Sequence, residues 1–224
     1  MLPRLALILS LAWMPASAQE ANLSTSVSGT EGAASQLVLA QRVFRQAGLT
    51  GDPVLLMAAI RLARGVTQRP APGWERKTTD AAEPPPDREW DGPPDPADPA
   101  VLAMLQGLVI DDPDLQDVAY DLDAQLPRGR LPVATVANAG LNGGAVDEWR
   151  LPLSGAEAAE IAVIGDRGTA LAVTVLDDAG TSVCSVPATV EPALCRFTPA
   201  RNGFFTVRIA NEGAAWNSYH LVGN

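Results

Sequence analysis

The chain has 224 residues, a net charge of −10 and 47% hydrophobic residues. Such acidity repels phosphate backbones and anionic bilayers, which disfavours nucleic-acid binding and basic-patch membrane binding. A length of this order fits one to two domains, and a single His, His220, with two Cys leaves no zinc-type ligand set.

The chain opens on Arg4 and an apolar run, Leu5–Met14, broken by Pro15 and followed by Ala16-Ser17-Ala18. A positive start, a short apolar stretch and small residues at a cleavage position make residues 1–18 a secretory signal peptide. The run is too short to cross a bilayer, which takes about 20 residues. No later stretch reaches that length, so no transmembrane segment is expected in the mature chain. The expected location is periplasmic or secreted. Residues 19–32 (QEANLSTSVSGTEG) are small and polar and read as a flexible N-terminus.

A helical region, 33–126, follows. Leu37, Ala40, Val43, Phe44 and Ala47 recur at spacings of three and four and share one helical face, with Gly48 as its expected end. Asp52-Pro53 restarts a helix, Asp as cap and Pro at the first position. Leu55, Leu56, Ala59, Ile60 and Ala63 form its apolar face, and the short connection predicts an antiparallel hairpin. The same Asp-Pro start recurs at Asp98-Pro99 and Asp112-Pro113, predicting two more helices that pack on the first pair. Between the pairs, residues 70–96 are dense in Pro and acid and are expected as a looped-out insertion. Trp74 and Trp90 interrupt its polarity, either docked locally on the helices or offered to a partner. Thirteen acids between Asp80 and Asp123 face only Arg88, the mark of a solvated face.

From 131 to 224 the period becomes two. Trp149 and Leu151, Ile161 and Val163, Leu171, Val173 and Val175, Phe205, Val207 and Ile209, and Tyr219 and Leu221 are the expected core of an antiparallel sandwich, separated by Gly- and Asn-rich turns. Cys184 and Cys195 are an even, closely spaced pair in an exported chain and are expected as a disulfide. The segment 185–194 between them, with Pro187 and Pro192, reads as a loop.

The order EWRLPL, AEIAVIGDRGTALAVTVLDDAGTSVC and CRFTPARNGFFTVRIANEGAAWNSYHL resembles the bacterial pre-peptidase C-terminal domain, a jelly-roll-like β-sandwich. GDPVLLMAAIRLA followed by this module also resembles uncharacterised exported proteins of alphaproteobacteria. Relatives often carry acids where this chain has Leu171-Ala172-Val173-Thr174, so any calcium role does not carry over.

The expected fold is therefore mixed and multidomain: a small all-α helical-hairpin region, then an all-β antiparallel jelly-roll-like sandwich. Nothing assembles a catalytic set. His220 alternates with Tyr219 and Leu221 and is expected on the surface. The adjacent acids Asp111-Asp112 and Asp177-Asp178 sit at turns or helix starts, where Asp is common anyway. Asp166, Asp177, Asp178 and Asn211 would hold calcium only by converging at one end of the sandwich. No catalytic residue, cofactor or metal is expected. The expected function is a non-catalytic exported protein whose sandwich binds a protein or carbohydrate partner. The alternatives are a structural or folding-assistance envelope protein acting through its helices, and a carboxylate-dependent hydrolase.

Overall fold

The computed structural model describes residues 20–25, 31–79, 92–124 and 130–224. Residues 1–18, expected as a signal peptide, and Trp90 lie outside the described residues, as do 80–91 of the insertion.

Among the described residues four helices precede most of the strands: α1 (Ala33–Thr50), α2 (Pro53–Arg64), α3 (Pro99–Leu108) and α4 (Pro113–Ala124). All three Asp-Pro starts behave as read. Asp52 accepts from the amides of Val54 and Leu55, Asp98 from Ala100, and Asp112 from Leu115. The first helix runs past Gly48. Its end is Gly51, at φ 69°, where the left-handed backbone favours a residue without Cβ. Leu56, Met57 and Ile60 of α2 bury against Leu102, Leu105 and Val109 beside α3 and Ala119 of α4, with Ala47 closing the cluster.

Among the described residues ten strands form two five-stranded sheets: β1 (Thr67–Pro70), β2 (Glu75–Thr79), β3 (Val133–Leu141), β4 (Val146–Leu153), β5 (Ala159–Gly165), β6 (Leu171–Leu176), β7 (Ser182–Thr189), β8 (Ala193–Phe197), β9 (Gly203–Asn211) and β10 (Asn217–Gly223). One sheet runs β1-β3-β10-β5-β8, the other β2-β4-β9-β6-β7. The eight strands from β3 onward interleave in a jelly-roll-like way, consecutive strands passing between the sheets except at the β6–β7 hairpin. Every residue expected in the core is there, from Trp149 to Leu221, joined by Leu141, Phe197 and the half-buried Trp74.

Two expectations are corrected at the lateral edges. The start of the Pro-rich insertion is not free of sheet: β1 pairs parallel to β3 and β2 antiparallel to β4, adding one strand to each sheet. Proline is tolerated because Pro70 ends an edge strand and needs no ladder amide. At the far edge, β7 runs through Pro187 to Thr189, so little of 185–194 is loop. It too is an edge strand, with bulges against β6.

The outer face of the first sheet is not left to solvent. Ala33, Ala34, Leu37, Val38 and Ala40 of α1 cover Ala134, Ala162, Ile164 and Val222. This explains why AEIAVI of β5 is buried along its whole length: Ile161 and Val163 face the sandwich core, Ala162 and Ile164 face the helix.

Candidate functional site

His220 lies on the outer face of β10, pointing away from the core as alternation requires, but it is not a free surface residue. The segment 92–98 folds back across it. Its Nε2 donates to the Pro93 carbonyl at 3.2 Å, and Nδ1 meets the Asn138 side chain at 2.7 Å. Burial pulls the imidazole below its usual pKa of 6.5, against the opposing influence of the Pro93 carbonyl and the Asp95 charge. The ring is therefore neutral at neutral pH. The strap is itself ordered by Asp95, which accepts from the Ala97 amide at 2.8 Å and reaches Gln68 Nε2 at 3.4 Å. Pro93 and Pro96 of the strap are buried.

A groove of about 750 Å³ opens between this strap, β1 and the outer face of β3 and β10. Gln68, Arg69, Asp95, Asp98, Asn138 and His220 supply its polar wall; Pro70, Pro93, Pro94 and Val136 supply the apolar part. Register brings the set together: Asn138 pairs with His220, while β1 lays Gln68, Arg69 and Pro70 beside Ala134, Thr135 and Val136. Gln68, Arg69 and Asn138 are exposed. These groups donate and accept hydrogen bonds in several directions, but they include no nucleophile activated by His220, whose ring is engaged by Asn138 and Pro93.

The sequence reading missed the groove because half of its wall comes from the stretch assigned to an insertion. It also missed a buried polar network. Asp147 is fully buried and takes Arg76 Nε at 2.9 Å, Thr78 Oγ1 at 2.5 Å and the hydroxyl of Tyr219. Trp149 Nε1 donates to that hydroxyl at 2.7 Å, and Arg76 also donates to the Gly140 carbonyl at 2.6 Å. Burial, and then the Asp147 charge, push Tyr219 well above the ordinary range of a phenol, so it remains a protonated donor. Neither Asp147 nor Tyr219 meets solvent. The network locks β2 onto β4 and is closed to solvent at Asp147 and Tyr219. Its signal was present, since Asp147 shares parity with Trp149 and Leu151 on β4.

The four oxygen-bearing residues considered for calcium do not converge. Asp166 and Asn211 stand at the start of β6, while Asp177 and Asp178 follow its end, separated by a six-residue strand of roughly 20 Å. Asp166 takes the amides of Gly168 and Ser218; Asn211 binds the carbonyls of Leu141 and Ala215. Asp177 takes the amides of Asn22, Ala179 and Thr181. Burial raises its pKa, but those amides and Arg201 outweigh it and leave the carboxyl lowered from 3.8. The contact with Asn22 corrects the N-terminal expectation too. Asn22 is fully buried, and its side chain exchanges bonds with both the amide and carbonyl of Arg201, so 20–25 is pinned to the sandwich.

Cys184 and Cys195 are bridged, with Cα atoms 6.0 Å apart. They sit on β7 and β8, which belong to different sheets, so the bond staples sheet to sheet rather than clamping a loop. On the opposite edge Trp74, from the β1–β2 connection, packs against the core, its ring over Gly223, where a Cβ would come within 3.0 Å. Trp74 is thus docked on the sandwich, not on the helices.

No family model matches the chain, and no curated protein matches it. Solved structures similar to it include the pre-peptidase C-terminal domain of a collagenase from Bacillus anthracis (16% identity, covering 40% of this chain and 88% of that one, TM-score 0.34). They also include the Yersinia pseudotuberculosis-derived mitogen (10% identity, 41% and 84%, TM-score 0.32) and a family 36 carbohydrate-binding module in complex with calcium and xylotriose (14% identity, 40% and 86%, TM-score 0.27).

Proposed function

We propose that this protein is a non-catalytic, exported binding module of the pre-peptidase C-terminal type, and that the groove beside His220 takes a hydroxyl-rich ligand such as an oligosaccharide. The groove itself carries the reading. It is wide, it mixes amide, guanidinium, carboxylate and imidazole groups, and its apolar strip of Pro70, Pro94 and Val136 suits the CH face of a sugar ring. Arg69, Asp95 and Asn138 offer both donors and acceptors, the pattern a diol requires. The sheet-to-sheet disulfide supports export, because such bonds persist in oxidising compartments. Among the described residues no helix is long and apolar enough to cross a membrane.

The test is calorimetric titration of the full chain with a panel of neutral and acidic oligosaccharides, repeated on Arg69→Ala/Asn138→Ala. Binding by the natural chain that falls at least about tenfold in the variant, roughly 1.4 kcal/mol, supports the proposal. Absence of binding across the panel, or equal binding by the two proteins, overturns it.

A further inference from the structure

The helical cluster presents a second surface, independent of the groove. From Pro99 to Ile110 the only polar side chain is Gln106, so α3 is apolar around its whole circumference. A helix of that kind belongs in a buried setting. Yet only Leu102, Leu105 and Val109 of this stretch are buried, with Val101 half-buried beside them. Ala100, Ala103, Met104, Gly107 and Leu108 form an open stripe on the other side, and Ile110 extends it. Met104, Leu108 and Ile110 keep 48%, 55% and 67% of their surface in solvent.

The charge around this stripe selects its occupant. Asp98 caps the start of α3; Asp111, Asp112, Asp114, Asp117, Asp121 and Asp123 follow its end and run along α4; residues 98–124 contain no Lys or Arg. A second copy would bring two such acidic borders together. The chain's own 80–91 (DAAEPPPDREWD) would add further acid. A complement must instead be apolar along one side and basic at its margins. We propose that the outer face of α3 is a docking surface for a cationic amphipathic helix of another protein. The stripe of about 15 Å matches some three turns of such a helix. Ala100, Ala103 and Gly107 let its backbone approach closely, and the flexible Met104 adapts to the side chains it meets.

The probe is a fluorescent leucine–lysine peptide with helical periodicity, titrated against the full chain and followed by anisotropy. A scrambled peptide of the same composition keeps the charge and loses the apolar face. The expected result is binding at least about tenfold tighter for the periodic peptide, with a similar loss on Met104→Gln/Leu108→Gln. Asp111→Asn/Asp112→Asn, which leaves the apolar stripe intact, should weaken binding and flatten its salt dependence. Equal affinity for the two peptides, or undiminished binding by both double variants, overturns the proposal. So does a concentration-dependent dimer abolished by Met104→Gln/Leu108→Gln, which would make a second copy the occupant.

Discussion

Glu160 shows how one side chain joins the two halves of the molecule. It sits on the outer face of β5 with 3% of its surface exposed, beneath the start of α1. Gly32 stands at the N-cap of that helix, which therefore has no capping side chain of its own. Glu160 supplies the missing acceptor from 125 residues away in sequence, taking the Ser35 amide at 3.0 Å and hydroxyl at 2.6 Å; it also takes the Gly32 amide at 2.9 Å. Arg196 adds an ion pair at 3.3 Å. Burial raises the carboxyl pKa, but the Ser35 and Gly32 bonds and Arg196 together prevail and hold it below its ordinary 4.5. A carboxyl lowered in the folded state adds stability above its unfolded pKa and loses it as pH falls through the folded one. Glu160→Ala should therefore cost about 2–3 kcal/mol at pH 7, leaving two amides without a partner. The gap between natural and variant chains should hold steady down to pH near 5 and close progressively below about 4.5. Denaturant midpoints measured across pH check both points, and a gap that widened on acidification would contradict the assignment. Nothing in the local sequence announces this cap. A Gly before a helix reads as an ordinary start, and the partner lies on a strand far along the chain.

At the scale of elements, alternation made the sandwich legible and concealed what covers it. Period two located Phe205, Val207 and Ile209, because each faces a dry core while Thr206 and Arg208 do not. The same rule misplaced the surroundings of His220, since alternation says which way a side chain points and not what lies over it. The edge strands were hidden for a related reason. TQRP and ERKTT are polar and mostly exposed, held by ladder bonds and by Arg76 and Thr78 on Asp147 rather than by an apolar face. The disulfide was legible as a pair, but its role depends on β7 and β8 lying in different sheets, which only topology reveals. Replacing both Cys by Ser should lower stability by roughly 3 kcal/mol, through the freedom restored to the unfolded chain. It should also shift the urea midpoint, and the 1-anilinonaphthalene-8-sulfonate signal should stay low if the sheets remain stacked. A loss below about 1 kcal/mol would mean that the sheets are held without the staple.

Across the whole molecule, α1 ties the two regions together. One side of it packs on α2, and another closes the outer face of the first sheet. Arg45 pairs with Glu191 and Arg42 reaches the Pro192 carbonyl, fixing the helix to the β7–β8 turn as well. The helix α1 is thus the cover of the first sheet, and the groove forms where that cover ends and the strap of 92–98 takes over. The measurement that tests the central claim most directly is amide chemical-shift mapping of the ¹⁵N-labelled chain during titration with an oligosaccharide that binds it. Perturbations should concentrate at the amides of residues 68, 69, 92, 95, 97, 98, 136–138 and 220, with the His220 ring protons among the largest. Shifts confined to the open face of the other sheet, around Arg150 and Phe204, or to α3, would contradict the account and place the binding site elsewhere.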